Sequence, residues 1–220
     1  MSKNQIRLTI DIAMTMILLM LMAYSLIGEM FHEIAGTLML MLFILHHILN
    51  RKWYPALFKG KYSARRIAMT VLDVLLLVVM VLQPLSGILM SRFVFTFLAA
   101  SGLSATSREI HLIVAFWGFV LMSIHEGTHL LNPVRKLWKH SRRAGIVFSS
   151  VCAAVSCYGI YAFVKRMFAE YMFGITSFAF FDFSEPLAFF FMDYLAVMVL
   201  FATVGVLIMK LTDPQKRRYK

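Results

Sequence analysis

Six apolar runs, separated by short polar segments, are written along the chain at about residues 8–28, 31–50, 67–91, 109–131, 144–165 and 187–210. A bilayer-crossing helix needs about 20 mostly apolar residues. In hydrocarbon the backbone must satisfy its own N–H and C=O groups, so each run predicts an α-helix. The pattern therefore predicts an all-α, polytopic transmembrane bundle of about six helices, with no segment left for a separate soluble domain. Local signals set some of the ends. Asn50-Arg51-Lys52-Trp53 closes the second run, Pro133 is expected to stop the fourth, and Pro186 opens the sixth at a position where its missing N–H costs nothing. Pro84, followed by Ser86 and Gly87, is expected to kink the third. The first run follows Lys3 and Arg7, carries Asp11 and shows no small-x-small cleavage site before Glu29. It reads as a retained first helix.

Composition agrees: 60% of the 220 residues are hydrophobic and the mean hydropathy is +0.77, against roughly 45–50% apolar residues in soluble domains. The formal charge of +11 would suit a nucleic-acid partner, but the basic residues sit in short clusters between apolar runs. That is how a membrane protein is oriented, and a nucleic-acid partner is not expected. Of the 22 Lys and Arg, all but Arg92, Arg108, Lys165 and Arg166 fall on the N-terminal tail, the 51–66 and 135–143 loops and the segment from Lys210 onward. The opposite loops carry Glu29, Glu33, Glu109, Glu170, Asp182 and Glu185. Both termini are therefore expected inside.

Histidines within apolar runs change the picture from topology to chemistry, because polar groups at membrane depth are expensive and usually functional. His140 is expected in a loop; the other six histidines lie on the second and fourth runs. His32 and His46 stand 14 residues apart on one, and His111 and His125 stand 14 apart on the other. In an α-helix that step falls about 40° short of four full turns and rises about 21 Å. Each pair thus leaves one helix face at two depths, and the predicted topology runs both helices in the same direction. His32 and His111 share one level, His46 and His125 the other. Two facing imidazoles at each level can supply both axial ligands of a haem iron. His47 is an alternate to His46, and His129 to His125; the equal spacing favours His46 with His125. Cys152 and Cys157 form no CxxCH attachment motif, so any haem would be held without a thioether bond. Gly36 and Gly118 could leave room for a flat ring or serve helix packing. Arg92 and Arg108 at one edge, and Arg51, Lys52, Arg65 and Arg66 at the other, are candidate propionate partners.

Two rival readings use the same residues. His125-Glu126-Gly127-Thr128-His129 spells H-E-x-x-H, the signature of a zinc metallopeptidase in which the glutamate activates a metal-bound water. Its central glycine is a poor helix former, no third ligand is evident, and the other histidines go unexplained. A metal or proton transporter would use His32, Asp73, Glu126 and Asp193 as relay groups.

Several segments occur in a familiar order: Phe31-His32-Glu33-Ile34-Ala35-Gly36, His46-His47-Ile48-Leu49-Asn50-Arg51-Lys52-Trp53, Leu85-Ser86-Gly87-Ile88, Arg108-Glu109-Ile110-His111 and Ile124-His125-Glu126-Gly127-Thr128-His129. Together they resemble the flavinylation-associated cytochrome domain family of bacteria, akin to ferric-reductase-like and di-haem b-type membrane cytochromes. The likeness is clearest over residues 8–131. It implies two non-covalent haems b on four histidines and residence in the bacterial cytoplasmic (inner) membrane. It also implies an extracytosolic FMN-carrying flavoprotein as partner, with electrons arriving from a cytoplasmic or quinol donor. The chain has no dinucleotide glycine motif of its own, which fits an electron-transfer subunit better than a stand-alone enzyme. The expected organisation is a four-helix di-haem core over residues 1–140, followed by two more helices and a basic tail over 141–220. The apolar 93–105 stretch is a candidate surface for the partner.

Overall fold

The computed structural model describes residues 2–98 and 104–213. Among them it is all-helical, in the order α1 (Lys3–Met22), α2 (Tyr24–Ile27), α3 (Glu29–Leu49), α4 (Trp53–Leu57), α5 (Ala64–Leu89), α6 (Ser104–His140), α7 (Arg142–Lys165), α8 (Phe168–Met172) and α9 (Leu187–Leu211). Six of these, α1, α3, α5, α6, α7 and α9, are long and apolar enough to cross a membrane, matching the six runs. The protein is a polytopic helical membrane protein.

The helix ends show where hydropathy misleads. α1 starts earlier than its apolar run because Ser2 and Gln5 form a capping box: Ser2 Oγ accepts from the Gln5 N–H, and Gln5 Oε1 accepts from the Ser2 N–H at 2.7 Å. Each half of the box satisfies an orphan N–H. α1 ends at Ala23, inside its apolar run, and the short α2 leads into Gly28 (φ 90°), a left-handed turn that glycine adopts without strain. Two expectations fail on α6. Pro133 does not stop the helix, which continues to His140, so His140 is its last residue and not a loop residue. Proline removes one helical bond, here the one that the His129 carbonyl would accept. The turns beyond it are held from outside, by the Arg135–Asp213 ion pair and by Trp138 packed on Gly145.

α6 is the central post. Val114, Phe116, Phe119, Val120, Leu121, Met122, Ser123, Thr128 and Leu131 are all buried on it. α5 packs along one side of α6, α9 along another, and α7 packs on α9. The α6–α9 crossing is backbone against backbone: a Cβ at Gly205 would strike the Ile124 carbonyl, and one at Gly127 would strike Ala202. Gly159 meets Ala196 in the same way on α7. Small residues are how membrane helices approach closely, and this accounts for the glycine inside H-E-x-x-H. On the opposite flank α3 packs along α1 and only lightly on α5, with no extended seam to α6 among the described residues.

At one end of the bundle, the acidic face, the Glu33 carboxylate accepts from Ser91 Oγ and from the backbone N–H groups of Arg92, Phe93 and Val94 at 2.7–3.0 Å. This ties the start of α3 to the end of α5. At the same face α7 and α9 are clasped: buried Asp193 accepts from Tyr158, Lys165 and Arg166, and Glu185 pairs with the same two cations. Asp193 is 0% exposed, so its partners neutralise a charge that would otherwise be prohibitive. Asp193→Asn is expected to lower stability by about 1–3 kcal/mol, read as a lower Tm in detergent. Burial pushes the Glu185 carboxyl up, but hydrogen bonds from Lys165 and Arg166 outweigh it and hold the group below its ordinary value of 4.5. Its contribution to stability is therefore complete above that value and lost as pH falls through the lowered one.

Candidate functional site

The acidic-face end of α3 and that of α6 each present a histidine to the other helix. The His32 and His111 rings face with centroids 6.1 Å apart and planes at 68°. An imidazole nitrogen sits about 2.0–2.1 Å from a bound metal ion, so two rings on opposite sides of one ion have centroids roughly 6 Å apart. Neighbours fix each ring. The His111 Nδ1–H points at the Gln83 carbonyl (3.2 Å) and the Ser86 hydroxyl (3.0 Å). Since a carbonyl only accepts, Nδ1 carries the proton and Nε2 the lone pair, which takes the Gln83 amide at 3.0 Å. Gly87 makes room for this ring: a Cβ there would lie 3.3 Å from His111 Cε1. His32 is held by the edge of Tyr24, with ring centroids 5.0 Å apart. Its Nδ1 is buried with no hydrogen-bond partner, as is Gln83 Oε1. Buried polar atoms rarely lack partners, so two such atoms beside one ring pair suit a site that binds something. Tyr24 itself donates to Glu29 at 2.5 Å, and burial with that contact raises its hydroxyl to about 12.

At the basic face the histidines are held differently. His46 Nδ1 meets the Asp11 carboxylate of α1 at 2.8 Å, and His125 Nδ1 lies 3.0 Å from Asp73 of α5 without hydrogen-bond alignment. Trp53 on α4 donates to the other Asp73 oxygen at 3.1 Å. A carboxylate only accepts, so at His46 Nδ1 is the protonated nitrogen and Nε2 keeps its lone pair. Metal-binding histidines are characteristically held in this way. The His46 and His125 rings are not in ring contact among the described residues, so facing pairs are formed at the acidic face alone. Instead His125 packs on His129 (4.8 Å between centroids), and His129 stands within Coulombic reach of His46, Asp11 and Asp73. His47 turns the other way, onto Phe43 and the Tyr54 hydroxyl. Of the alternates, His129 thus joins the cluster and His47 does not.

The remaining expectations divide. Gly118 serves packing, with Val79 3.0 Å from a Cβ placed there, while Gly36 has only Leu21 at 4.0 Å. Arg92 pairs with Glu29, Arg108 lies over Phe178, and Arg66 holds the Ala56 and Lys61 carbonyls. Glu126 takes a hydroxyl from Thr15 on α1. Among the described residues no group of three or more His, Cys, Asp or Glu is placed to hold a metal ion. The 93–105 stretch is described only to Leu98 and from Ser104; over 93–98 it is a series of bends and turns with Phe97 exposed. Ser86, Gln83 and Asp11 were not singled out as site residues from the sequence. A charge inside an apolar run was the available signal for Asp11.

The fold and these clusters define a helical membrane protein with paired histidines at one face and carboxylate-held histidines at the other. No family model, curated protein or solved structure matches the chain.

Proposed function

We propose that the protein is a di-haem b-type cytochrome that carries electrons across the membrane. The observation that carries this reading is the His32–His111 pair, with ring centroids 6.1 Å apart between α3 and α6. The residues fit the group. His32 and His111 would hold one haem, and His46 and His125 the other, about 21 Å along the axis. α3 and α6 share no close seam, and Met14, Met22, Met39, Met80 and Met122 are buried in the same core. Methionine is flexible enough to repack around an irregular guest. Haem held by these histidines would supply a one-electron couple suited to electron transfer rather than oxygen binding.

The chain's own residues do the rest. Gln83, Ser86, Asp11 and Asp73 orient the imidazoles, and the apolar core excludes water. The donor side is the basic face, where a cavity of about 430 Å³ lined by Trp53, Leu57, Arg66, Met69 and Asp73 reaches the carboxylate that touches His125. A quinol or a cytoplasmic donor would be received there. The resemblance to the flavinylation-associated cytochrome domain family supports an extracytosolic FMN-carrying flavoprotein as acceptor in the bacterial inner membrane. The zinc reading of His125-Glu126-x-x-His129 would need a third ligand, and the described residues place none.

A reduced-minus-oxidised visible spectrum of the purified chain, with haem quantified per polypeptide, tests the proposal. Two b-type haems per chain are expected. A colourless preparation from haem-replete cells would overturn it.

A further inference from the structure

The link from α7 to α9 dips back beside α6 before it reaches α9. In α8, Phe168 and Tyr171 pack on the rings of buried Phe116 and Phe119. The Trp117 indole donates to the Met172 carbonyl at 2.8 Å. Gly174 (φ 64°) then lies against Ile113 and near Glu109, and Phe178 lies under Arg108. Trp117 stands eight residues inward of Glu109 on α6, about 12 Å along the axis. The segment thus climbs from within the span to the charged rim. Its inner side is pinned: the Phe180 N–H donates to the Tyr171 hydroxyl at 2.8 Å, and Phe181 stacks on Phe190. Its outer side carries Phe173, Ile175, Phe178, Phe180 and Phe183, each 63–75% exposed. No charged residue occurs from Phe173 to Phe181, and no Lys or Arg from Met167 to Pro186.

We infer that residues 173–183 form a lipid-embedded strap, whose outward side chains enter the acidic-face leaflet from the acyl region up to the headgroup boundary. Depth decides the occupant. The strap begins beside Trp117, below the Arg108–Glu109 rim, so Phe173 and Ile175 continue the lipid-facing surface of the spans. A soluble partner would have to push below that rim to reach them. Irregular backbone is tolerated at such depth only where protein satisfies its polar groups. The deep end meets this condition. The N–H groups of Phe173, Gly174 and Ile175 donate to the carbonyls of Ala169, Tyr171 and Glu170 at 2.9–3.2 Å. The Met172 carbonyl takes the Trp117 indole. Apolar side chains at the acyl boundary are stabilised by the area they bury, with electrostatic attraction to anionic lipids adding only where basic residues are present. The strap has none, so its lipid contact should not depend on headgroup charge. The inference is independent of the haem reading.

Ile175→Trp and Phe178→Trp in the full chain, reconstituted in phosphatidylcholine nanodiscs, test this. Both replace exposed side chains, so the pinned inner side is untouched. The added emission is read as the difference from the wild type, which carries Trp53, Trp117 and Trp138. It should be quenched several-fold more by phosphatidylcholine brominated on its acyl chains than by aqueous iodide. Moving the bromines deeper along the chain should favour quenching of Ile175→Trp over Phe178→Trp. Adding phosphatidylglycerol should leave both results unchanged. Stronger quenching by iodide than by brominated lipid at Ile175→Trp would overturn the inference and leave the strap as a docking face for a soluble protein. Lipid quenching that appears only with the anionic lipid would overturn it as well. Phe183→Trp, at the far end of the strap, repeats the comparison of brominated lipid with iodide if either variant folds poorly.

Discussion

Replacing His111 by alanine is expected to reduce haem content from two per chain to one, leaving the remaining haem with an unaltered spectrum. His32→Ala should produce the same single-haem species, and combining the two should remove nothing more, because both rings serve one level. His46→Ala or His125→Ala should yield the complementary species. His140→Ala, at the exposed end of α6, should leave the spectrum unchanged. The pattern is read by haem quantification and visible absorption on detergent-purified protein. Loss of both haems from each single variant, at normal protein yield, would remove the support for two independent levels.

The second large effect concerns the scaffold. Gly205→Leu should cost more than about 3 kcal/mol, beyond the usual range for overpacking, because a side chain there meets the Ile124 carbonyl and the Gly127 and Thr128 backbone. None of those groups is a flexible side-chain end that could move aside. The expected readout is aggregation or a collapsed Tm in thermal unfolding followed by size-exclusion chromatography. Gly36→Ala is the contrast: its nearest neighbour is Leu21 Cδ2 at 4.0 Å, and the variant should unfold like wild type. Equal behaviour of the two variants would mean that the α6–α9 crossing does not bear on stability.

The six spans were legible because lipid imposes a crude and strict demand: about 20 apolar residues, all helical. What hydropathy missed was set by single hydrogen bonds and contacts. Ser2 and Gln5 extend α1 through polar sequence that no apolar window includes. α6 outlasts Pro133 because Arg135 and Trp138 find partners on other elements, a tertiary effect invisible to local propensity. The helical period placed His32 opposite His111 correctly, since both helices start from the same face. It could not show that His46 and His125 would lie against carboxylates, because Asp11 and Asp73 come from two other helices whose rotation the sequence leaves open. Gly127 was read as a blemish in a helix, and only the position of Ala202 on α9 explains it.

The two flanks of α6 are built to different tolerances. On one side, interlocked backbones with α9 leave almost no slack. On the other, α1 and α3 form a pair that leans on the post without being bolted to it. A disturbance on the loose flank can therefore be absorbed by rearranging side chains, while the same disturbance on the tight flank reaches the backbone. Durability of the scaffold and the setting of the His32–His111 pair are thereby assigned to separate sides of one helix.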